Sequence, residues 1–145
     1  MSGKGPNKAA SVLTKLETLA VKEQVGFNLL VTRYVQGRFL YRLSLSPYVK
    51  HFILKGGLLL FAWSGLETRP TRDMDVLVEN MQNDAAQIAA VFKDICLIDV
   101  NDGVKYHENT VDVKPIQEED KYMGLRVKFI AMIDTWGRSF FVTVL

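Results

Sequence analysis

The chain has 145 residues, of which 48% are hydrophobic and 23% charged, enough apolar content for one domain with a real core. A net charge of +2 is too small to argue for nucleic-acid binding by bulk electrostatics, although the clusters Lys50-His51, Lys55 and Arg69 to Arg72 can still meet a polyphosphate. The single cysteine, Cys96, excludes an intramolecular disulfide and has no zinc-ligand spacing to His51 or His107, which fits a reducing compartment.

Met1 to Ala10 lacks the apolar stretch of a signal peptide and reads as a flexible tail, leaving 11–145 as the folded unit. Ser11 is the expected N-cap of a helix carrying Val12, Leu16, Leu19 and Ala20, interrupted at Gly26. From Phe27 to about Leu43 a second helix gathers Leu30, Val31, Tyr34, Phe39, Leu40 and Leu43 on one face, with Arg33, Arg38 and Arg42 placed off it. Tyr34, Tyr41 and Trp63 read as packing residues and not as platforms for bases. Phe52-Ile53-Leu54 is a short buried strand that breaks at Gly56-Gly57, after which Leu58 to Trp63 resumes as a helix. That apolar run is far too short to cross a membrane, so a cytoplasmic protein is expected.

Gly65 to Pro70 is a loop leading to a strand over Asp73 to Val78, and Asn83-Asp84 caps a helix through Ile88, Phe92 and Ile95. Asn101-Asp102-Gly103 is a turn between Leu97–Val100 and Val104–Tyr106, and His107 falls in a loop. Val111-Asp112-Val113 and the acidic Glu118-Glu119-Asp120 then precede two strands, Leu125 to Ile133 and Ser139 to Leu145, joined by Trp136-Gly137. The fold class is therefore α/β, with N-terminal helices packed on a mixed sheet.

Two constellations carry chemistry. Asp73 and Asp75 alternate with Met74 and Val76, so a strand presents both carboxylates on one face. Two adjacent like charges raise each other's proton affinity unless a cation neutralises them, and hard oxygen ligands select Mg²⁺ or Mn²⁺. Gly56-Gly57 lets the backbone approach a ligand closely at a helix start, where free N–H groups can point at phosphate oxygens. Either feature alone has a bland reading, a tight turn or a solvated strand end. Together with Thr71 and Arg72 they meet separate requirements of one phosphoryl-transfer site. Lys55, Arg69 and Arg72 are candidate triphosphate contacts, with solvated surface charge as the alternative, and Thr71 either orients a carboxylate or caps the strand.

Phe52-Ile53-Leu54-Lys55-Gly56-Gly57 with Arg69-Pro70-Thr71-Arg72-Asp73-Met74-Asp75 resembles the AbiEii/AbiGii toxin family of nucleotidyltransferases, within the polymerase-β-like superfamily. Arg33-Tyr34 with Arg38-Phe39-Leu40-Tyr41-Arg42-Leu43-Ser44 is similar to the family's helical lead-in, and Lys114-Pro115-Ile116 through Tyr122-Met123-Gly124-Leu125-Arg126-Val127 to its later strands. The resemblance implies Gly56 and Gly57 as the triphosphate cradle and Asp73 and Asp75 as metal ligands. It also implies transfer of a nucleoside monophosphate from a nucleoside triphosphate to RNA, tRNA 3′ ends in particular, and a separately encoded antitoxin. In the family a third carboxylate lies in an Asp-Ile/Val-Gly strand entered from an apolar run like Phe140 to Leu145, so it is expected just past Leu145; Asp112 and Asp99 mimic its surroundings.

On that reading 11–145 is the N-terminal portion of a nucleotidyltransferase domain, and Val142 to Leu145 would lie at an exposed sheet edge. Two other readings stay open. One is a truncated binding module that holds a nucleotide or a partner without catalysis, and the other is an α/β domain in which the two motifs coincide by chance.

Overall fold

The computed structural model describes residues 7–55, 74–82 and 84–145. Among them three α-helices and five strands are found: α1 (Lys8–Glu23), α2 (Phe27–Leu45), β1 (Phe52–Lys55), β2 (Met74–Val78), α3 (Ala85–Cys96), β3 (Lys105–Glu118), β4 (Lys121–Ile133) and β5 (Trp136–Val144). The expected α/β class is borne out. No helix among the described residues is long and apolar enough to cross a membrane.

α1 starts earlier than Ser11 predicts, because the Asn7 side chain accepts from the Ala10 N–H at 3.1 Å and closes the first turn there. Val12, Leu16 and Ala20, four residues apart, form its buried stripe. Asp84 caps α3 as expected, accepting from the Gln87 N–H at 2.9 Å, and Ile88, Val91, Phe92, Ile95 and Cys96 face the core. The turn at 101–103 is present, with Asn101 at φ 51° and Gly103 at φ 84°.

The sheet order is β1-β2-β5-β4-β3. β2 and β5 run parallel, whereas β1 with β2, β5 with β4 and β4 with β3 are antiparallel. Three sequence expectations change here. β5 is an interior strand between β2 and β4, so Val142 to Leu145 is not a sheet edge: Leu145 donates to the Val76 carbonyl and accepts from the Val78 N–H. Trp136 and Gly137 belong to β5, and the turn before them is made by Asp134, at φ 51°, with Thr135. His107 lies in β3, a single 14-residue strand that absorbs the expected loop through a register shift between His107 and Asp112. Glu119 and Asp120 connect β3 to β4 with φ of 52° and 64°, the twist that suits a two-residue hairpin turn.

All three helices contribute to a core on one face of the sheet. Alternation in the strands supplies Met74 and Val76, then Leu125, Val127, Phe129, Ala131 and Ile133, then Phe140, Val142 and Val144. Phe39 of α2 stacks on Phe129 at 5.0 Å and on Phe92 of α3 at 5.7 Å, which joins helices and sheet through aromatic contact.

Arg33 and Arg42, off the apolar face by helical spacing, are nevertheless both buried. Arg42 is 1% exposed and makes a two-pronged pair with Asp102 at 2.8 and 2.9 Å, while its guanidinium also donates to the Ile98 and Val104 carbonyls. Arg38 adds a bond to the same carboxylate at 2.8 Å, and the Tyr34 hydroxyl donates to the Asp102 carbonyl at 2.7 Å. The α2 face is thus wrapped by the 98–104 segment through fixed polar contacts.

Gly124 has φ 114°, and a Cβ there would stand 2.5 Å from the Val144 carbonyl oxygen, a backbone atom. Gly124→Ala is expected to destabilise the fold by about 1–3 kcal/mol, from positive φ plus a clash that only main-chain movement relieves. At Gly137 the nearest obstacle is the Met132 sulfur at 2.6 Å, the end of a flexible side chain, so Gly137→Ala should cost less. Urea midpoints of the two variants check the order, and equal midpoints would contradict it.

Candidate active site

Asp75 is the second residue of β2, half-buried, while its neighbours Met74 and Val76 are buried in the core. Its carboxylate therefore belongs to the sheet face away from the helices. In register, Asp75 lies between Lys55 on β1 and Thr143 on β5. The same row continues through Arg126 on β4 to Lys114 on β3, so five residue positions on five strands share one transverse line. A second line places Phe141 beside Lys128 and Lys128 beside Asp112. Arg126, Lys128 and Lys114 are exposed, and Thr143 and Phe141 are half-buried.

Of the residues singled out from sequence, Gly56, Gly57, Arg69, Thr71, Arg72 and Asp73 lie outside the described residues, as do the expected 58–63 helix and 65–70 loop. Lys55 is placed by its backbone, opposite Asp75. The two carboxylates that mimic a third ligand are elsewhere. Asp112 is on β3, three strands from β2, exposed and 3.6 Å from the Lys114 ammonium. Asp99 accepts from the Asn101 N–H at 3.0 Å in the turn that follows α3. His51 engages the Glu79 carbonyl through Nδ1 at 2.8 Å, a structural role that ties the turn before β1 to the end of β2.

Among the described residues no three His, Cys, Asp or Glu side chains converge on a point. The donor chemistry around Asp75 is nevertheless that of a hard cation, a carboxylate beside the Thr143 hydroxyl on the adjacent strand. Because β5 runs parallel to β2, it passes Asp75 at Thr143 and has moved on to Val76 and Val78 by Leu145. The position flanking the carboxylate on this strand is a hydroxyl. Side chains on Asp75's face come from odd-numbered positions of β5, where Phe141 and Thr143 stand.

Cys96 offers no competing nucleophile. Burial pushes its thiol up to about 12, so the reactive thiolate is scarce at neutral pH. Sequence reasoning passed over Thr143, Lys128 and Lys114, although the alternation in Leu125-Arg126-Val127-Lys128-Phe129 already separates a basic face from an apolar one.

No curated protein matches this chain. The family model for the nucleotidyl transferase AbiEii toxin of type IV toxin–antitoxin systems matches residues 38–142, which include the C-terminal part of α2, the glycine pair, both aspartates, α3 and nearly the whole sheet. The chain belongs to the AbiEii family of nucleotidyl transferase toxins.

Proposed function

We propose that the sheet face around Asp75 binds a nucleoside triphosphate together with Mg²⁺ or Mn²⁺, and that the chain transfers the nucleoside monophosphate to an RNA acceptor such as a tRNA 3′ end. The observation that carries this reading is the placement of Asp75, outward on a central region of the sheet between Lys55 and Thr143, in a member of a nucleotidyl transferase family. Asp73, two residues earlier in the sequence, is the second carboxylate of the proposed pair, by the alternation expected of a strand there. A divalent cation held by the pair supplies charge neutralisation at the phosphate oxygens.

In that arrangement the backbone N–H groups at Gly56 and Gly57 hold the triphosphate, and Lys55, Arg69, Thr71 and Arg72 contact its outer oxygens. The acceptor hydroxyl oxygen bonds to the α-phosphorus as the bond to pyrophosphate breaks, and the hydroxyl proton passes to water. An antitoxin encoded separately counteracts the activity, as the type IV toxin–antitoxin family implies, and the reaction takes place in the cytoplasm.

Incubation with radiolabelled nucleoside triphosphates, total tRNA and Mg²⁺ tests the reading. Label is expected on RNA with the unaltered chain and not with Asp73→Ala; transfer that survives the substitution removes Asp73 from the site. Thr143 favours a second reading, a nucleotide- or partner-binding chain that does not transfer, because a hydroxyl stands where a further carboxylate would neutralise more charge. Nucleotide binding without transfer is its signature. Thr143→Asp is then expected to tighten Mn²⁺ binding on the order of tenfold, measured by titration calorimetry.

A further inference from the structure

The charge of +2 is spread unevenly over the molecule. Lys114, Arg126 and Lys128 are exposed on the sheet face away from the helices, Lys114 across from Arg126 on the next strand and Lys128 two residues from Arg126 along β4. Lys105, in register with Met132, extends the same face toward the start of β3. Asp112 is the acidic side chain interleaved with them, and it lies 3.6 Å from Lys114. Arg126 is held with its guanidinium carbon 4.1 Å from the centre of the Phe141 ring, so a cation is fixed against an aromatic in the middle of the patch. Strand spacing puts Arg126 about 10 Å from Asp75 and Lys114 about 15 Å from it, on the same transverse row.

We infer that this face is the track for the acceptor RNA: its phosphates run over Lys114, Lys128 and Arg126 and lead a 3′ end toward Asp75. A row of exposed cations interleaved with an aromatic is how sequence-tolerant single-strand surfaces work, because the backbone charge is met everywhere and guanidinium planes accept bases by stacking. Charge complementarity is the argument for this occupant, and the direction is taken from the row that leads from Lys114 through Arg126 and Thr143 to Asp75. The inference rests on the proposed transfer reaction for its direction, but binding can be measured without any reaction.

The test is fluorescence anisotropy of a labelled single-stranded RNA oligonucleotide with a free 3′ hydroxyl, titrated at several salt concentrations with no nucleotide present. The chain carrying Lys114→Gln, Arg126→Gln and Lys128→Gln is expected to bind about tenfold or more weakly, with a log–log salt slope shallower by about 2, the release expected for three phosphate contacts on a single strand. A control with Lys8→Gln, Lys15→Gln and Lys22→Gln removes the same charge from exposed positions of α1 and should leave both values near the unaltered chain's.

Equal losses in the two triple variants would reduce the effect to net charge and overturn the inference, as would an unchanged slope or a chain with no RNA affinity. RNA binding unchanged while an antitoxin no longer co-purifies would reassign the face to a protein partner, again overturning it. RNA binding that depends on the three residues, in a chain that transfers no nucleotide, would remove the transfer reading and leave the RNA track standing.

Discussion

Asp75→Asn is expected to lower nucleotide transfer at least about a thousandfold, since charge stabilisation of the reacting phosphate is lost and not merely a binding contact. The substitution keeps the side chain's size on a half-buried strand position, so stability should change by about 1 kcal/mol or less. Mn²⁺ affinity measured by calorimetry and label transfer measured on tRNA should fall together. Transfer retained within tenfold, in a variant whose urea midpoint is unchanged, would move the reacting centre away from β2. Nucleotide affinity measured without metal separates the cases further, because the proposed glycine cradle and its neighbouring cations do not depend on Asp75.

The largest expected effect on stability comes from Asp102→Ala. Its side chain is 5% exposed and faces Arg42, at 1%, so the substitution leaves a buried guanidinium without its counter-charge. Breaking a buried pair from one side costs about 3–5 kcal/mol, and in a domain of this size that corresponds to a melting temperature lower by about 10–20 °C. A loss below 1 kcal/mol would mean that Arg42 finds other partners. The same contact makes a pH prediction. Burial pushes the Asp102 carboxyl up, but the hydrogen bonds from Arg42, Arg38 and the Val104 N–H outweigh it, and the net shift is downward.

A carboxyl with a lower folded than unfolded value contributes stability above the unfolded value and loses it as pH falls through the folded one, because the unfolded chain takes up the proton first. Urea midpoints of the unaltered chain should therefore decline on acidification through the carboxylate range. In Asp102→Asn that part of the decline should be missing. An identical acid slope in both proteins would place the responsible group elsewhere.

Local signals carried over well into the structure, and distant partners did not. The alternation of Asp73 to Val78 identified β2, and the Asp84 cap identified the start of α3, because both are written within a few residues. Arg42 fell off the apolar face because helical periodicity alone assigns faces, and its partner Asp102 is 60 residues away. His107 looked like a loop residue because a strand with a register shift breaks the period-two pattern on which strand recognition depends. The position of β5 was misjudged for a related reason: apolar alternation says that a strand is half-buried, not which neighbours it finds. At the candidate site, the sequence marked Asp75 and Lys55, which the sheet register sets opposite each other. It could not mark Thr143, which matters only through a parallel pairing across 68 residues of chain.

That late pairing also orders events during synthesis. β2 joins the rest of the sheet through β5, since its other neighbour is β1. When Val78 has been added, the strand bearing Asp75 already has β1 as a potential neighbour, but its other neighbour does not exist until residues 136–144 have followed. At ordinary elongation rates that interval is about 3–13 s. The strand that carries the candidate carboxylate thus meets one neighbour early and the other only after β4 and β5 have been made.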